Sequence, residues 1–278
     1  MPTSEVVGSV SGLWRFPVKS MGGEQLQAVE VTEKGVLGDR AYALIDNDTG
    51  KVVSAKSVRL FPDLFEFSAA FIEEPCLDEG MSEVEITFPD GTSVRSDSGE
   101  VDRVLSAHFN QNVRLERVAI SDEESGDTGG DQDKLVAQRP GSPPPVGSFL
   151  DAYPMSVLTT STLKRLNELE PGSRFDERRF RMNVIVDTER PGFIENDWVG
   201  HDLAFGETTR LGVTLPDPRC VMTTLAQGDL PKDVDVLRAI VRHNNLQVRD
   251  LGQLPCVGVY AVVGMRGPVR IGDPVTLG

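Results

Sequence analysis

CVGVYAVVGMRGPVRIGDPVTL, residues 256–277, decides the architecture. β-branched residues recur in short runs cut by glycine or proline, the signature of short strands with tight connections. LGVTLP (211–216) and RMNVIVDT (181–188) have the same character. Between these runs, Leu163, Leu166 and Leu169 recur at helical spacing with Gly172 beyond them. Val234, Leu237, Ile240 and Val241 mark a second helix, entered through Asp229 and Pro231. The second half therefore reads as an antiparallel barrel with helices outside it.

The first half reads mainly as strands. In EVEITF (83–88), Val84, Ile86 and Phe88 alternate, and Pro89, Asp90 and Gly91 turn the chain into TSVRS, which predicts a hairpin. VVGSVSGLWRFPV (6–18), QLQAVEVT (25–32) and RAYALID (40–46) have similar β character, so a small β-barrel or folded sheet is expected. Val101, Val104, Leu105, His108 and Phe109 recur at helical spacing after the capping candidates Asp97 and Ser98. His108 lies on that apolar stripe, so it reads as a packed histidine. Ser121–Gly147 is rich in Asp, Glu, Gly, Ser and Pro, as a linker or insertion is. The expected class is a β-rich α+β protein. Its N-terminal β-barrel-like domain covers 1–118, an acidic Pro/Gly-rich linker 119–148, and a second β-barrel domain with peripheral helices 149–278.

Composition narrows the function. The 278 residues hold 28 Lys and Arg against 43 Asp and Glu, a net charge of -15 that repels phosphate backbones, so nucleic acid is not an expected partner. No apolar run reaches the ~20 residues that span a bilayer, and the first residues do not read as a secretory or transit signal. Membrane insertion is not expected, and the cytoplasm is the expected location. Cys76, Cys220 and Cys256 cannot build a paired disulfide framework, and His108, His201 and His243 show no zinc spacing. A metal, if present, must arrive with a cofactor that supplies most of its own ligands.

Cys220 follows Arg219 in TLPDPRCVMTT, and a thiol beside a fixed cation has its thiolate favoured. That suits a nucleophile or a soft-metal ligand, while a small buried hydrophobe at a strand end is the competing reading. Lys19 and Ser20 precede Met21-Gly22-Gly23, where a mobile backbone and an ammonium can meet an anion. Arg40 closes a Gly-Asp-Arg turn. Arg174, Arg178, Arg179 and Arg181 crowd the approach to the 181–188 strand, with Asn183 on the face of Arg181. For these arginines the competing reading is a solvated face paired to Asp176 and Glu177.

LWRFPVKSMGGEQL, KGVLGDRAYALID, FLDAYPMSVLTTSTLKRLN, RFRMNVIVD, PDPRCVMTT and VGVYAVVGMRGPVRIGDPVTL together resemble one family, in its order and over most of the chain. It is the MOSC domain proteins carrying the N-terminal β-barrel domain, which include the mitochondrial amidoxime-reducing component and bacterial relatives. The resemblance implies a molybdenum cofactor (Mo-molybdopterin) between two domains, with Cys220 as the protein ligand of the metal and Arg219 beside it. It further implies that Lys19, Ser20 and Arg40, with Thr160 and Ser161 at a helix start, hold the phosphate end, and that Arg181, Asn183 and Tyr260 line the cofactor. SAKSVRL (54–60) departs from the family's Gln-Arg or Ala-Arg-Gln stretch, leaving Lys56 as its basic residue. Cys76 and Cys256 have no family role.

The implied activity is reduction of N-hydroxylated or N-oxygenated small molecules. Electrons come from a separate donor of ferredoxin, flavin reductase or cytochrome b5 type, since no Cys-rich module is fused at the end of this sequence. The alternatives are a sulfur carrier using Cys220 and a cofactor-binding protein without turnover.

Overall fold

The computed structural model describes residues 5–77, 80–118, 149–150 and 152–278. The expected linker, 119–148, lies outside them. The described residues form a β-rich fold with three α-helices and one closed barrel. Two compact units divide the chain, and they are interleaved in sequence. One gathers the residues up to Arg15, Glu24–Leu37 and Tyr153–Gly278; the other gathers Phe16–Gly23 and Gly38–Ala152. This cut differs from the consecutive domains expected above, because strand pattern reports burial and not which strand is the partner.

The first unit is built on seven strands: β1 (Glu5–Arg15), β2 (Met155–Thr159), β3 (Val184–Asp187), β4 (Asp202–Phe205), β5 (Thr209–Pro218), β6 (Gln253–Met265) and β7 (Pro274–Leu277). They follow one another around the barrel as β2-β3-β1-β7-β4-β5-β6, and β6 pairs back onto β2. Closure leaves no barrel edge unpaired. Only β2 and β3 run parallel (Val157 opposite Val184), and α2 (Thr160–Leu169) makes the crossover that a parallel pair needs. β1 lies between β3 and β7, with Leu13 opposite Val184 and Glu5 opposite Leu277. Inward side chains fill the lumen, among them Val10, Leu13, Met155, Val157, Leu203, Phe205 and Val259, around Trp198. Each such side chain contributes about 1.5–3 kcal/mol on leaving water. A second core lies under the helices: Leu166 of α2 and Val236, Ala239 and Ile240 of α3 (Asp235–His243) pack with Phe180, Met182 and Val257.

In the second unit, Tyr42–Asp46 pairs antiparallel with Val113–Arg117. Ser68–Phe71, Val84–Thr87 and Ser93–Arg95 make a three-stranded sheet containing the expected hairpin. α1 (Val101–Phe109) buries Val101, Leu105 and Phe109 and ends on Asn110 at φ 49°, a left-handed cap. Neither capping candidate acts as expected: Ser98 accepts from the Glu100 N–H (3.2 Å), and Asp97 bridges Arg95. His108 is more exposed than its place on the apolar stripe suggested: its ring contacts Phe67, Phe88 and Phe109, but the residue faces solvent, with Nε2 2.7 Å from Asp63.

Candidate functional site

β5 carries two prolines, Pro216 and Pro218, and its pairing with β6 shifts register three times, the last between them. Proline cannot complete the ladder and bulges bend a strand, so β5 is re-aimed as it ends. Cys220 follows at once, at the start of a 3₁₀ turn (Val221–Thr224). Its carbonyl accepts both the N–H (3.2 Å) and the hydroxyl (3.0 Å) of Thr223. The side chain is half-buried.

Arg219 is held on several sides. One Nη donates to Asp217, the other to the Phe180 carbonyl (2.6 Å), and its backbone N–H donates to Pro255 O (2.7 Å). Its guanidinium carbon lies 5.6 Å from the Phe180 ring centre. Burial opposes the guanidinium charge, but Asp217, Tyr260 and Cys220 favour it more strongly, so its pKa lies above the ordinary arginine value. The buried Nε has no acceptor among the described residues. Cys256, opposite Pro218, is fully buried, and burial with help from Asp217 pushes its thiol up to about 12. It stays a neutral thiol across ordinary pH.

Two more candidates meet at a residue that the sequence did not single out. Ser156 on β2 stands opposite Tyr260 on β6. Its hydroxyl donates to Asn183 Oδ1 (3.0 Å), its N–H donates to the same oxygen (3.1 Å), and the Asn183 N–H donates back to Ser156 O (3.1 Å). The Tyr260 ring stacks on Tyr153 at 5.3 Å and 22°. Arg181 is buried at φ 57°, directly after the Phe180 that receives Arg219. Cys220, Arg219, Arg181, Asn183 and Tyr260 are thus tied together through Phe180 and Ser156.

Thr160 and Ser161 lie elsewhere on the same unit. Thr160 donates to Asp187 (2.7 Å), and the Ser161 hydroxyl is bonded to Thr188 and the Arg190 carbonyl. They sit past the far end of β2, roughly 13 Å of strand beyond Ser156 at about 3.3 Å per residue. The acceptor at this helix start is the chain's own Glu195 carboxyl group, which is fully buried and accepts Thr159 and Thr162 hydroxyls at 2.7 Å each. Burial raises its pKa, and the two hydroxyls and the Gly258 backbone partly oppose the rise.

Lys19, Ser20 and Arg40 come together in the second unit. Lys19 Nζ donates to Phe149 O (2.7 Å), while the Phe149 N–H donates to Arg40 O (3.1 Å). Arg40 pairs with Asp39 and lies over the Phe16 ring at 4.6 Å. Ser20, buried at φ 66°, accepts the Ala55 N–H (3.2 Å), which brings the backbone next to Lys56 alongside. Five non-glycine residues have positive φ among those described, and Ser20, Arg40 and Arg181 are three of them. Such backbone is costly and tends to collect where a ligand must be met.

The arginine run divides. Arg174 and Arg178 pair with Asp176, as the competing reading held, and with Asp229 in place of Glu177, which accepts from Trp14 Nε1. Arg179 is 1% exposed and donates to four carbonyls: Arg174 (3.0 Å), Thr223 (3.3 Å), Leu225 (3.3 Å) and Pro231 (2.9 Å). It therefore holds the segment that follows Cys220. Adjacent arginines look alike in sequence, and only the neighbouring apolar Phe180 hints at burial.

Among the described residues, no three His, Cys, Asp or Glu side chains gather as metal ligands, and no helix is long and apolar enough to cross a membrane. Residues 7–126 match the family model for the MOSC N-terminal beta barrel domain, and residues 144–276 match that for the MOSC domain. The chain is 26% identical to mitochondrial amidoxime reducing component 2 of Homo sapiens, over 97% of this chain and 83% of that protein. It is 27% identical to mitochondrial amidoxime-reducing component 1 of Xenopus laevis, over 97% and 82%. Among solved structures it is similar to the YuaD protein of Bacillus subtilis, at 12% identity and a TM-score of 0.47, covering 99% of this chain and 98% of that one.

Proposed function

Because the chain belongs to the MOSC domain proteins with an N-terminal MOSC β-barrel domain, we propose that it is a molybdenum-cofactor-dependent reductase of N-hydroxylated or otherwise N-oxygenated small molecules. Cys220 is the proposed thiolate ligand of the metal. The observation that carries the reading is a partly exposed thiol next to a largely buried guanidinium whose Nε has no acceptor among the described residues. Among the described residues no cluster of His, Cys, Asp or Glu supports the thiol, which suits a cofactor that brings its other ligands. The names of the vertebrate relatives support the reaction class.

When bound, such a cofactor supplies a two-electron couple and an open coordination position, and R–NHOH with two electrons and two protons gives R–NH2 and water. Cys220 acts as a fixed ligand, since the Thr223 bonds to its carbonyl hold its backbone in place. Arg219, held by Asp217 and the Phe180 carbonyl, keeps a fixed positive charge next to Cys220 in the chain. Asn183, fixed by Ser156, and Tyr260, fixed by its stack on Tyr153, orient the cofactor beside Arg181. Lys19, Ser20 and Arg40 are assigned to the cofactor's anionic end. Thr160 and Ser161 are left out, because their hydroxyls are bonded to Asp187 and Thr188. The electrons come from a separate protein of ferredoxin, flavin reductase or cytochrome b5 type.

The test is the molybdenum and pterin content of wild type and Cys220→Ser purified from a host that makes the cofactor. The variant is expected to lose most of its metal; equal retention overturns the ligand assignment. Partial exposure of Cys220 on a turn also favours a second reading, a sulfur carrier. Mass spectrometry for a persulfide on Cys220, set beside reduction of a hydroxylamine with an artificial donor, separates the two.

A further inference from the structure

Reducing R–NHOH to R–NH2 and water consumes two protons, and hydroxide is a poor leaving group, so a proton has to reach the oxygen as the N–O bond breaks. Among the residues tied to Cys220, few hold a proton that can be given up. Arg219 and Arg181 keep theirs, since a guanidinium stays charged in a protein. Asp217 accepts from Arg219, and Ser156 and Asn183 are bonded to one another. Cys256 is fully buried, with its thiol pushed up to about 12. Tyr260 is left.

Its place suits the task. Val259 and Ala261 pack into the barrel core, so alternation along β6 turns Tyr260 to the outer face, beside Ser156. It also stands opposite Leu215 of β5, five residues before Cys220. The stack on Tyr153 holds its ring. Of the chain's three tyrosines, Tyr42 and Tyr153 are 3% and 8% exposed and Tyr260 alone is partly open, so solvent can return a proton to it. Arg219 links it to Cys220, since both residues favour the guanidinium charge. The anion left on the phenol oxygen therefore meets a cation already fixed in place.

We propose that Tyr260 is a catalytic residue, the acid whose Oη–H protonates the departing oxygen of an N-hydroxylated substrate. The O–H bond of Tyr260 breaks as the N–O bond does, and the oxygen leaves with that proton as water. The two electrons come from the separate donor protein, the second proton passes from solvent to nitrogen, and solvent restores the phenol. The proposal rests on the reductase reading and gives Tyr260 a task beyond orienting the cofactor.

The test compares full-length holoprotein as wild type, as Tyr260→Phe, which keeps the ring, and as Tyr42→Phe, which removes a hydroxyl in the other unit. Each is reduced with an artificial donor and mixed with N-methylhydroxylamine, and the amine formed in a single turnover is timed. Tyr260→Phe is expected to keep its molybdenum and its Tm, to react about 10²- to 10⁴-fold more slowly, and to regain part of the rate with added ammonium or imidazolium. Tyr42→Phe should match wild type. An undiminished rate in Tyr260→Phe overturns the assignment and leaves the reductase reading standing. So does a slow rate that no small acid lifts, or one that follows lost molybdenum and makes Tyr260 a holder of the cofactor alone. If wild type forms no amine, the reductase reading falls and this role with it. A readout without turnover is the 13C signal of the tyrosine Cζ atoms in the full-length apoprotein. Only three exist, and Arg219→Gln is expected to move that of Tyr260; a signal that stays in place overturns the pairing of phenol and guanidinium on which the role stands.

Discussion

Replacing Arg179 with methionine keeps the length and the burial of the side chain and removes the donors that hold Thr223, Leu225 and Pro231. A hydrogen bond from a charged donor is worth about 1.5–3 kcal/mol, and two of the four here are long at 3.3 Å. The carbonyl of exposed Pro231 recovers water, and the buried guanidinium no longer has to be desolvated, which offsets part of the loss at buried Thr223 and Leu225. The net loss expected is about 2–4 kcal/mol, concentrated in the segment after Cys220 because three of the four acceptors lie there. At about 1.4 kcal/mol per factor of ten, amide hydrogen exchange across 223–231 should quicken by roughly 30- to 1,000-fold. Amides of β2 and β3 should change far less. Alkylation of Cys220, followed by mass spectrometry with exposed Cys76 as the internal reference, should show the same loosening. Uniform acceleration throughout the barrel, with Cys220 and Cys256 equally affected, refutes the reasoning, since Arg179 is then an element of the whole core and not a clamp on one loop.

Glu195→Ala should lower stability by about 2–4 kcal/mol in a denaturant titration, because two buried hydroxyls lose their acceptor, while Glu195→Gln should cost clearly less. Gly258→Ala should reduce the soluble yield or lower Tm by several degrees. Gly258 has φ 77°, and an added Cβ would stand 2.5 Å from Met182 Cε and 2.7 Å from the Val157 carbonyl. The Cys256 thiol is raised from about 9 to about 12, so its contribution is complete below about pH 9 and is lost as pH rises through about 12. Wild type should therefore lose more stability than Cys256→Ala between pH 9 and 12, as followed by circular dichroism.

Elements were legible where a periodic pattern had one meaning. The hairpin around Asp90, the two helices of the C-terminal half and the strands running into Leu277 follow from alternation, spacing and turn residues. Partners were not legible. VVGSVSGLWR reads equally well as a strand of either unit, and only closure of the barrel between β3 and β7 decides where it goes. Cys220 and Arg219 adjoin in sequence, so their contact was visible, whereas Asp217, Phe180 and Ser156 gain their roles from side-chain geometry. At α2, the serine and threonine donors were readable as a cradle for an outside anion. In the fold the Thr160 and Ser161 hydroxyls bond Asp187, Thr188 and the Arg190 carbonyl, while the neighbouring Thr159 and Thr162 serve the buried Glu195.

The pairing of β1 with β7 also orders events during synthesis. β1 can meet β3 once Val184–Asp187 is made, but its other edge stays open until the segment around Leu277 arrives, about 270 residues after Glu5. Contacts so distant in sequence form slowly, and until then the nascent sheet keeps two open edges. A fragment that starts at residue 144 can never close this ring and should self-associate. Joining the chain across Glu5 and Leu277 and reopening it at a surface turn should yield a permuted protein that closes early.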